Sequence, residues 1–226
     1  MYTEEIIGLT VGQEKLSGYS AYPDGDGPFP GVVIIHEIFG LNENIKDIAH
    51  RFAEAGYAAF AIDLFAGRNR AICMSRFMAQ MLTSPLNNSS IRTLKQALTY
   101  LGEQPRVDAN RIGAIGFCMG GGFAIAWATS DNRLKTIAPF YGANPRPLEA
   151  VSRSCPVVGS YPAADFTAKQ ATKLDEALTT YNIEHDIKIY PGAKHSFFND
   201  QGKSYDAAAS KDAWERVLAY FQKHLG

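Results

Sequence analysis

The segment "RIGAIGFCMGGGFAIAW", Arg111 to Trp127, joins three signals in one short run. "RIGAIGF" is apolar and bounded by glycine, which suits a strand buried on both faces. "MGGGFAIAWATS" follows as a helix. Between them stands Cys118, with Gly116 two residues before and Gly120 two residues after. A nucleophile at a strand-to-helix turn occupies a tight, strained elbow whose flanking positions must be small. The pattern is G-x-nucleophile-x-G, with cysteine where serine is commoner. In open α/β sheets this carboxyl edge of the strands is where ligands bind. The helix starting at Met119 aims its N–H groups at the sulfur, which is expected to lower the thiol pKa. Two other readings compete. Cysteine is often a small buried packing residue. A glycine-rich turn can also cradle phosphate, but Gly113, Gly116 and Gly120 do not spell G-x-G-x-x-G and the P-loop lysine is missing.

Working outward, strand and helix alternate from residue 31 to the end. "GVVIIHE" and "YAAFAID" are strands, separated by a helix with Ile45, Ile48, Ala49 and Phe52 on one face. Ile91, Leu94, Leu98 and Leu101 mark another helix, and "LKTIAPFYG" and "CPVVGSYP" further strands. Leu174, Leu178 and Tyr181 mark a helix, "HDIKIYPG" a strand, and Trp214, Val217, Leu218 and Phe221 the last helix. "EIIGLTV" and "LSGYSAY" form a hairpin around Gly12–Lys15. The alternation predicts an α/β fold: a mostly parallel central sheet with helices on both faces, in one domain over residues 1–226. Residues 66–90 read as irregular, a cap segment. Within it Met74, Met78 and Met81 are spaced for one helical face, either a soft pocket wall or ordinary packing.

The chain has 226 residues, 46% hydrophobic and 20% charged, with a net charge of −1. Nothing here suggests a nucleic-acid or membrane-surface partner. No apolar run reaches the ~18 residues of a membrane span. "MYTEEIIGLT" lacks the basic start and long apolar core of a signal peptide. Cys73, Cys118 and Cys155 are too few and too scattered for a disulfide framework or zinc knuckle. The expectation is a cytoplasmic protein without metal or cofactor, monomeric or a small homo-oligomer. Cys73 and Cys155 read as packing residues.

A nucleophile needs a base, and the base an orienting acid. His50 sits within a helix, His36 ends a strand, His185 begins one, and His224 is near the C-terminus. His195 alone lies in a loop between the last strand and last helix. Asp165 is the only carboxylate between "CPVVGSYP" and the next helix. Capping that helix is the competing use for Asp165. Cys118, Asp165 and His195 nonetheless follow the order nucleophile, acid, histidine of the hydrolase topology. The oxyanion donors expected there are the N–H of Met119 and one from the loop "HEIFGLN", which brings Glu37 and Ile38 beside Cys118. A glutamate at that edge repels a thiolate; it could ion-pair or keep the thiol protonated until substrate arrives.

"HEIFGLN", "GYAAFAIDLFAGR", "GFCMGG" and "KHSFF" together resemble the dienelactone hydrolase family over nearly the whole chain. The resemblance implies an α/β-hydrolase fold and a Cys118–His195–Asp165 triad. It implies an oxyanion hole from the Ile38 and Met119 N–H groups. It further implies a substrate-triggered, Glu37-dependent switch of Cys118 from thiol to thiolate, and hydrolysis of an enol-lactone through an acyl-enzyme thioester. The founding type grips its substrate carboxylate with two arginines. Here Asn199 stands where one would be, and Arg76 is the candidate for the other, with Arg68 and Arg70 nearby. Phe39 and Phe198, beside these motifs, are further substrate-contact candidates. The function expected is hydrolysis of a small ester or lactone. The alternatives are a thioesterase or acyltransferase on the same triad, and a catalytically silent ligand-binding protein of this fold.

Overall fold

The computed structural model describes residues 1–226 except Gln13, Gly67 and Arg68, and except the side chains of Met78, Met81 and Leu82. Its strands are β1 (Tyr2–Val11), β2 (Glu14–Tyr22), β3 (Phe29–Ile35), β4 (Ala58–Ile62), β5 (Val107–Phe117), β6 (Leu134–Phe140), β7 (Val157–Pro162) and β8 (His185–Tyr190). They form a single sheet in the order β1-β2-β4-β3-β5-β6-β7-β8. The pairings from β4 through β8 are parallel, and β2 runs antiparallel to both β1 and β4. The helices are α1 (Glu43–Glu54), α2 (Arg70–Thr83), α3 (Ser89–Gly102), α4 (Met119–Ala128), α5 (Thr167–Thr180) and α6 (Ala207–Leu225).

Pleating sorts the buried strand residues to opposite faces. Val32 and Ile34 pack with Ile45, Ile48 and Phe52 of α1 and Val217 and Phe221 of α6. Val33 and Ile35 belong to the opposite core, with Leu94 and Leu98 of α3, Phe123 and Trp127 of α4, and Leu174 and Leu178 of α5. Both faces are thus covered, and the carboxyl-terminal halves of the central strands are buried throughout, from Val32 to Ile35 in β3 and from Ile112 to Phe117 in β5. This is the mostly parallel, helix-covered sheet expected from the alternating pattern, and it has the α/β-hydrolase architecture that the resemblance implies.

The chain leaves β3 toward β4 on one side and β5 toward β6 on the other. The strand order therefore reverses between β3 and β5, and a crevice opens outside their carboxyl ends. That crevice receives the β3–α1 loop and the β5–α4 turn.

The segment expected to be irregular contains a helix, α2. The Asn69 side chain caps it by accepting from the Ala71 and Ile72 N–H groups. Among its described side chains, Cys73 and Phe77, one turn apart, are buried. Phe77 sits between Phe65, with ring centroids 5.8 Å apart, and Phe123 at 5.6 Å. Met74 is only partly buried against this core. Met78, Met81 and Arg68 lie outside the described residues or side chains. Cys73 is buried, as a packing residue should be.

Candidate active site

Cys118 adopts φ 54°, ψ −112° at the N-cap of α4, a conformation that costs a non-glycine residue of order 1–3 kcal/mol. Its backbone is pinned on both sides. Its N–H donates to the Phe140 carbonyl at 3.0 Å, and its carbonyl accepts from the Gly122 N–H at 3.1 Å. The flanking glycines are sterically required. A Cβ on Gly116 would overlap the Gly120 carbonyl, and one on Gly120 would overlap the Ile35 carbonyl. The elbow is therefore folded against itself and against the end of β3.

The thiol is half-buried. Burial pushes its pKa up to about 11, with the Glu37 carboxylate adding to the rise and Asp165 adding less. The Met119 N–H donates toward the sulfur and pulls the other way. The helix start thus acts in the expected direction, but it is outweighed. The expectation of a lowered thiol pKa is corrected: at rest Cys118 is a thiol.

His195 and Asp165 meet as expected from their positions. His195 Nδ1 is hydrogen-bonded to Asp165 Oδ2, with the carboxylate side chain nearly buried and the imidazole about a third exposed. Asp165 also accepts from the Thr167 hydroxyl at 3.1 Å and the Thr167 N–H at 3.3 Å. It braces the start of α5 and orients the histidine together, so the two readings of this residue are not exclusive. The Tyr141 ring lies 4.9 Å from the imidazole, and the Phe166 ring lies nearly parallel to it at 6.0 Å.

Glu37 is 4% exposed. Its Oε1 accepts from the Ser196 hydroxyl at 2.9 Å, directly beside His195 in the chain. Its buried Oε2 makes no well-formed hydrogen bond among the described residues, and the buried Tyr141 hydroxyl faces the same carboxylate. Burial first, and the nearby Glu37 charge second, hold the Tyr141 phenol well above its ordinary range. Tyr141 and Ser196 both have positive φ, at 40° and 61°. Strained backbone thus gathers at Cys118, Tyr141 and Ser196, around one carboxylate.

Of the other residues singled out in the sequence, Ile38 and Phe39 stand 41% and 47% exposed on the β3–α1 loop. Arg76 is placed elsewhere. It donates to the Ser89 hydroxyl at 3.0 Å and lines a small polar cavity with Glu14, Cys73 and Thr93 that includes none of Cys118, Asp165 and His195. Phe198 is a core residue, packed on Phe117 and Phe140, and contacts no open surface. Asn199 is nearly buried, and its Oδ1 accepts from the Gln201 N–H. Three residues at the site were not anticipated: Tyr141, Ser196 and Phe166. Phe166 is 69% exposed; its place next to Asp165 was the available signal. Among the described residues, no cluster of His, Cys, Asp or Glu could hold a metal ion, and no helix is long and apolar enough to cross a membrane.

Comparison with known proteins places the chain in a family. Residues 16–225 match the model of the dienelactone hydrolase family. A Saccharolobus solfataricus protein named "putative carboxymethylenebutenolidase" is 33% identical, covering 92% of this chain and 94% of its own. A Synechocystis protein of the same name is 32% identical, covering 93% of each chain. Among solved structures, a dienelactone hydrolase-like promiscuous phosphotriesterase from metagenomic libraries, P91, superposes with a TM-score of 0.88. It is 26% identical and covers 100% of this chain and 99% of its own. The chain belongs to the dienelactone hydrolase family and is a hydrolase of that type.

Proposed function

We propose that this hydrolase cleaves small esters or lactones through a thioester on Cys118. The observation that carries the reading is the strained, glycine-flanked Cys118 at the sheet's switch point, with the His195–Asp165 pair on neighbouring loops. At rest the nucleophile is protonated, and its proton must leave before attack. Glu37, buried and close enough to raise the thiol, is the nearby base suited to receive it. The proton then passes by way of His195 to the leaving oxygen. Attack of the sulfur on the carbonyl forms the C–S bond, and the negative charge on oxygen is met by the Ile38 and Met119 N–H groups. Expulsion of the alkoxide or enolate breaks the C–O bond. Water, deprotonated by His195, then hydrolyses the thioester and restores the thiol. Asp165 keeps the imidazole in one tautomer throughout.

The substrate we infer carries no essential carboxylate next to the scissile bond. Arg76 is turned to Ser89, and Asn199 offers its Oδ1 to the chain itself. The surroundings of His195 are aromatic: Tyr141 below and the exposed Phe166 beside it. The reading carries with it a reducing, cytoplasmic setting for three free cysteines. It needs no nucleic-acid, membrane or cofactor partner, and it applies equally to a monomer or a small homo-oligomer. The test is turnover of an aryl acetate series by wild type, by alkylated wild type and by Cys118→Ala, with mass spectrometry of quenched reactions. An acyl adduct on the Cys118 peptide and loss of turnover in both modified forms are expected. Undiminished turnover by Cys118→Ala would overturn the reading.

A further inference from the structure

We infer that His36 is a positioning residue for the oxyanion hole, aiming the Ile38 N–H by clamping the carbonyl of the same peptide unit. The inference rests on the reading of Ile38 N–H as an oxyanion donor. His36 is fully buried just past the end of β3. Both of its ring nitrogens are engaged. Nε2 accepts from the Leu64 N–H at 3.0 Å, so in the neutral ring it carries no proton. The proton is on Nδ1, which therefore donates to the Glu37 carbonyl at 2.6 Å. The Gly40 N–H donates to the same oxygen at 3.2 Å.

The peptide joining Glu37 to Ile38 is planar and trans, so its C=O and N–H point in opposite directions. Two donors holding the oxygen fix the plane, and they leave the Ile38 N–H directed away from the clamp. Among the described residues that N–H makes no hydrogen bond to the protein. The clamp stands beside the nucleophile. A Cβ built on Gly120 would come within 2.8 Å of the His36 carbonyl and would overlap that of Ile35. One imidazole thus fastens the β3–α1 loop to the chain following β4, at Leu64, next to the Cys118 elbow. The Phe65 ring packs on it at 4.9 Å and excludes water that would compete for the carbonyl. A donor that is aligned before the reaction needs no reorganisation when charge develops on the substrate oxygen.

The experiment separates the two nitrogens. In His36→Asn the amide nitrogen can stand near the Nδ1 position and keep the donor to Glu37. In His36→Gln the amide can stand near Nε2 and keep the Leu64 contact while losing the Nδ1 donor. For His36→Gln we expect kcat on an aryl acetate to fall ~10–100-fold, less than the loss on deleting an oxyanion donor outright. KM should change little. His36→Asn should recover most of the lost kcat. Affinity for an aldehyde inhibitor, whose thiohemiacetal oxyanion needs the hole, should fall in step with kcat. Iodoacetamide alkylation of Cys118, which develops no oxyanion, should keep its wild-type rate in both variants. A folded His36→Gln protein with wild-type kcat and aldehyde affinity would overturn the inference. So would equal losses in the two variants, which would assign the effect to bulk or to the Leu64 contact. Failure of the underlying reading looks different: wild type would then form no acyl adduct on Cys118. Should either variant fail to fold, wild-type protein labelled with ¹⁵N-histidine decides. A protected proton on Nδ1 of His36 supports the clamp, and a proton on Nε2 overturns it.

Discussion

Glu37→Gln removes a charge while keeping the shape and an acceptor for the Ser196 hydroxyl. In the native protein the Cys118 thiol is held up to about 11, first by burial and second by this carboxylate. At pH 8 its thiolate fraction is therefore about one in a thousand. A close buried charge typically shifts a neighbour by about 1–3 units. Burial is the larger cause here and survives the substitution, so a drop of about one to two units is expected. The sign follows from charge: removing a negative neighbour favours the anionic thiolate. Iodoacetamide alkylation of Cys118 at pH 8 should accelerate ~10–100-fold, and its pH profile should move toward lower pH. The assay is the pseudo-first-order rate from about pH 6 to 11, with mass spectrometry resolving Cys118 from buried Cys73 and partly buried Cys155. Ester turnover should fall in the same variant, because the thiol proton has lost its acceptor. A profile that superimposes on wild type, or moves to higher pH, would refute the electrostatic argument.

Three further outcomes are expected. Asp165→Asn should lower kcat by ~10³–10⁴, since the amide no longer selects the Nδ1–H tautomer of His195; a loss of only a few-fold would leave Asp165 as a brace for α5. Gly120→Ala should destabilise the fold by about 3 kcal/mol, roughly 6–12 °C in Tm. The new methyl would collide with the Ile35 carbonyl in the β3–β5 ladder; an unchanged calorimetric Tm would contradict the elbow packing. A lactone methyl ester should show a kcat/KM at least equal to that of its free acid, because Arg76 is engaged with Ser89. A hundredfold preference for the acid would mean that another cation reaches the pocket.

What was legible in the sequence follows from how locally each feature is determined. Gly116 and Gly120 around Cys118 announce the elbow because the steric demand acts over four residues. The apolar spacing of α1 and α3 gave their buried faces, since Ile45, Ile48, Phe52, Ile91, Leu94 and Leu98 are all buried. Asp165 and His195 could be chosen from loop position and chain order alone. The helix α2 was missed because its docking depends on Phe77 meeting Phe65 and Phe123, contacts remote in sequence. The thiol pKa was misjudged in the same way. The helix start is a local signal, whereas burial and the approach of Glu37 arise only when β3 and β5 pair. Arg76 and Phe198 show that the neighbourhood of a motif does not tell where a side chain points.

The order in which the site's parts leave the ribosome follows from the same topology. Glu37 and Cys118 come from β3 and β5, whereas Asp165 and His195 follow β7 and β8, the last strands to be made and the outermost on their side of the sheet. A chain that has closed the β3–β5 centre already holds Cys118 in its elbow near Glu37 but lacks both His195 and Asp165. On the proposed mechanism, synthesis can therefore proceed with Cys118 chemically quiet. Arming it is coupled to laying down β8 and α6, so hydrolytic activity reports completion of the sheet edge rather than formation of the elbow.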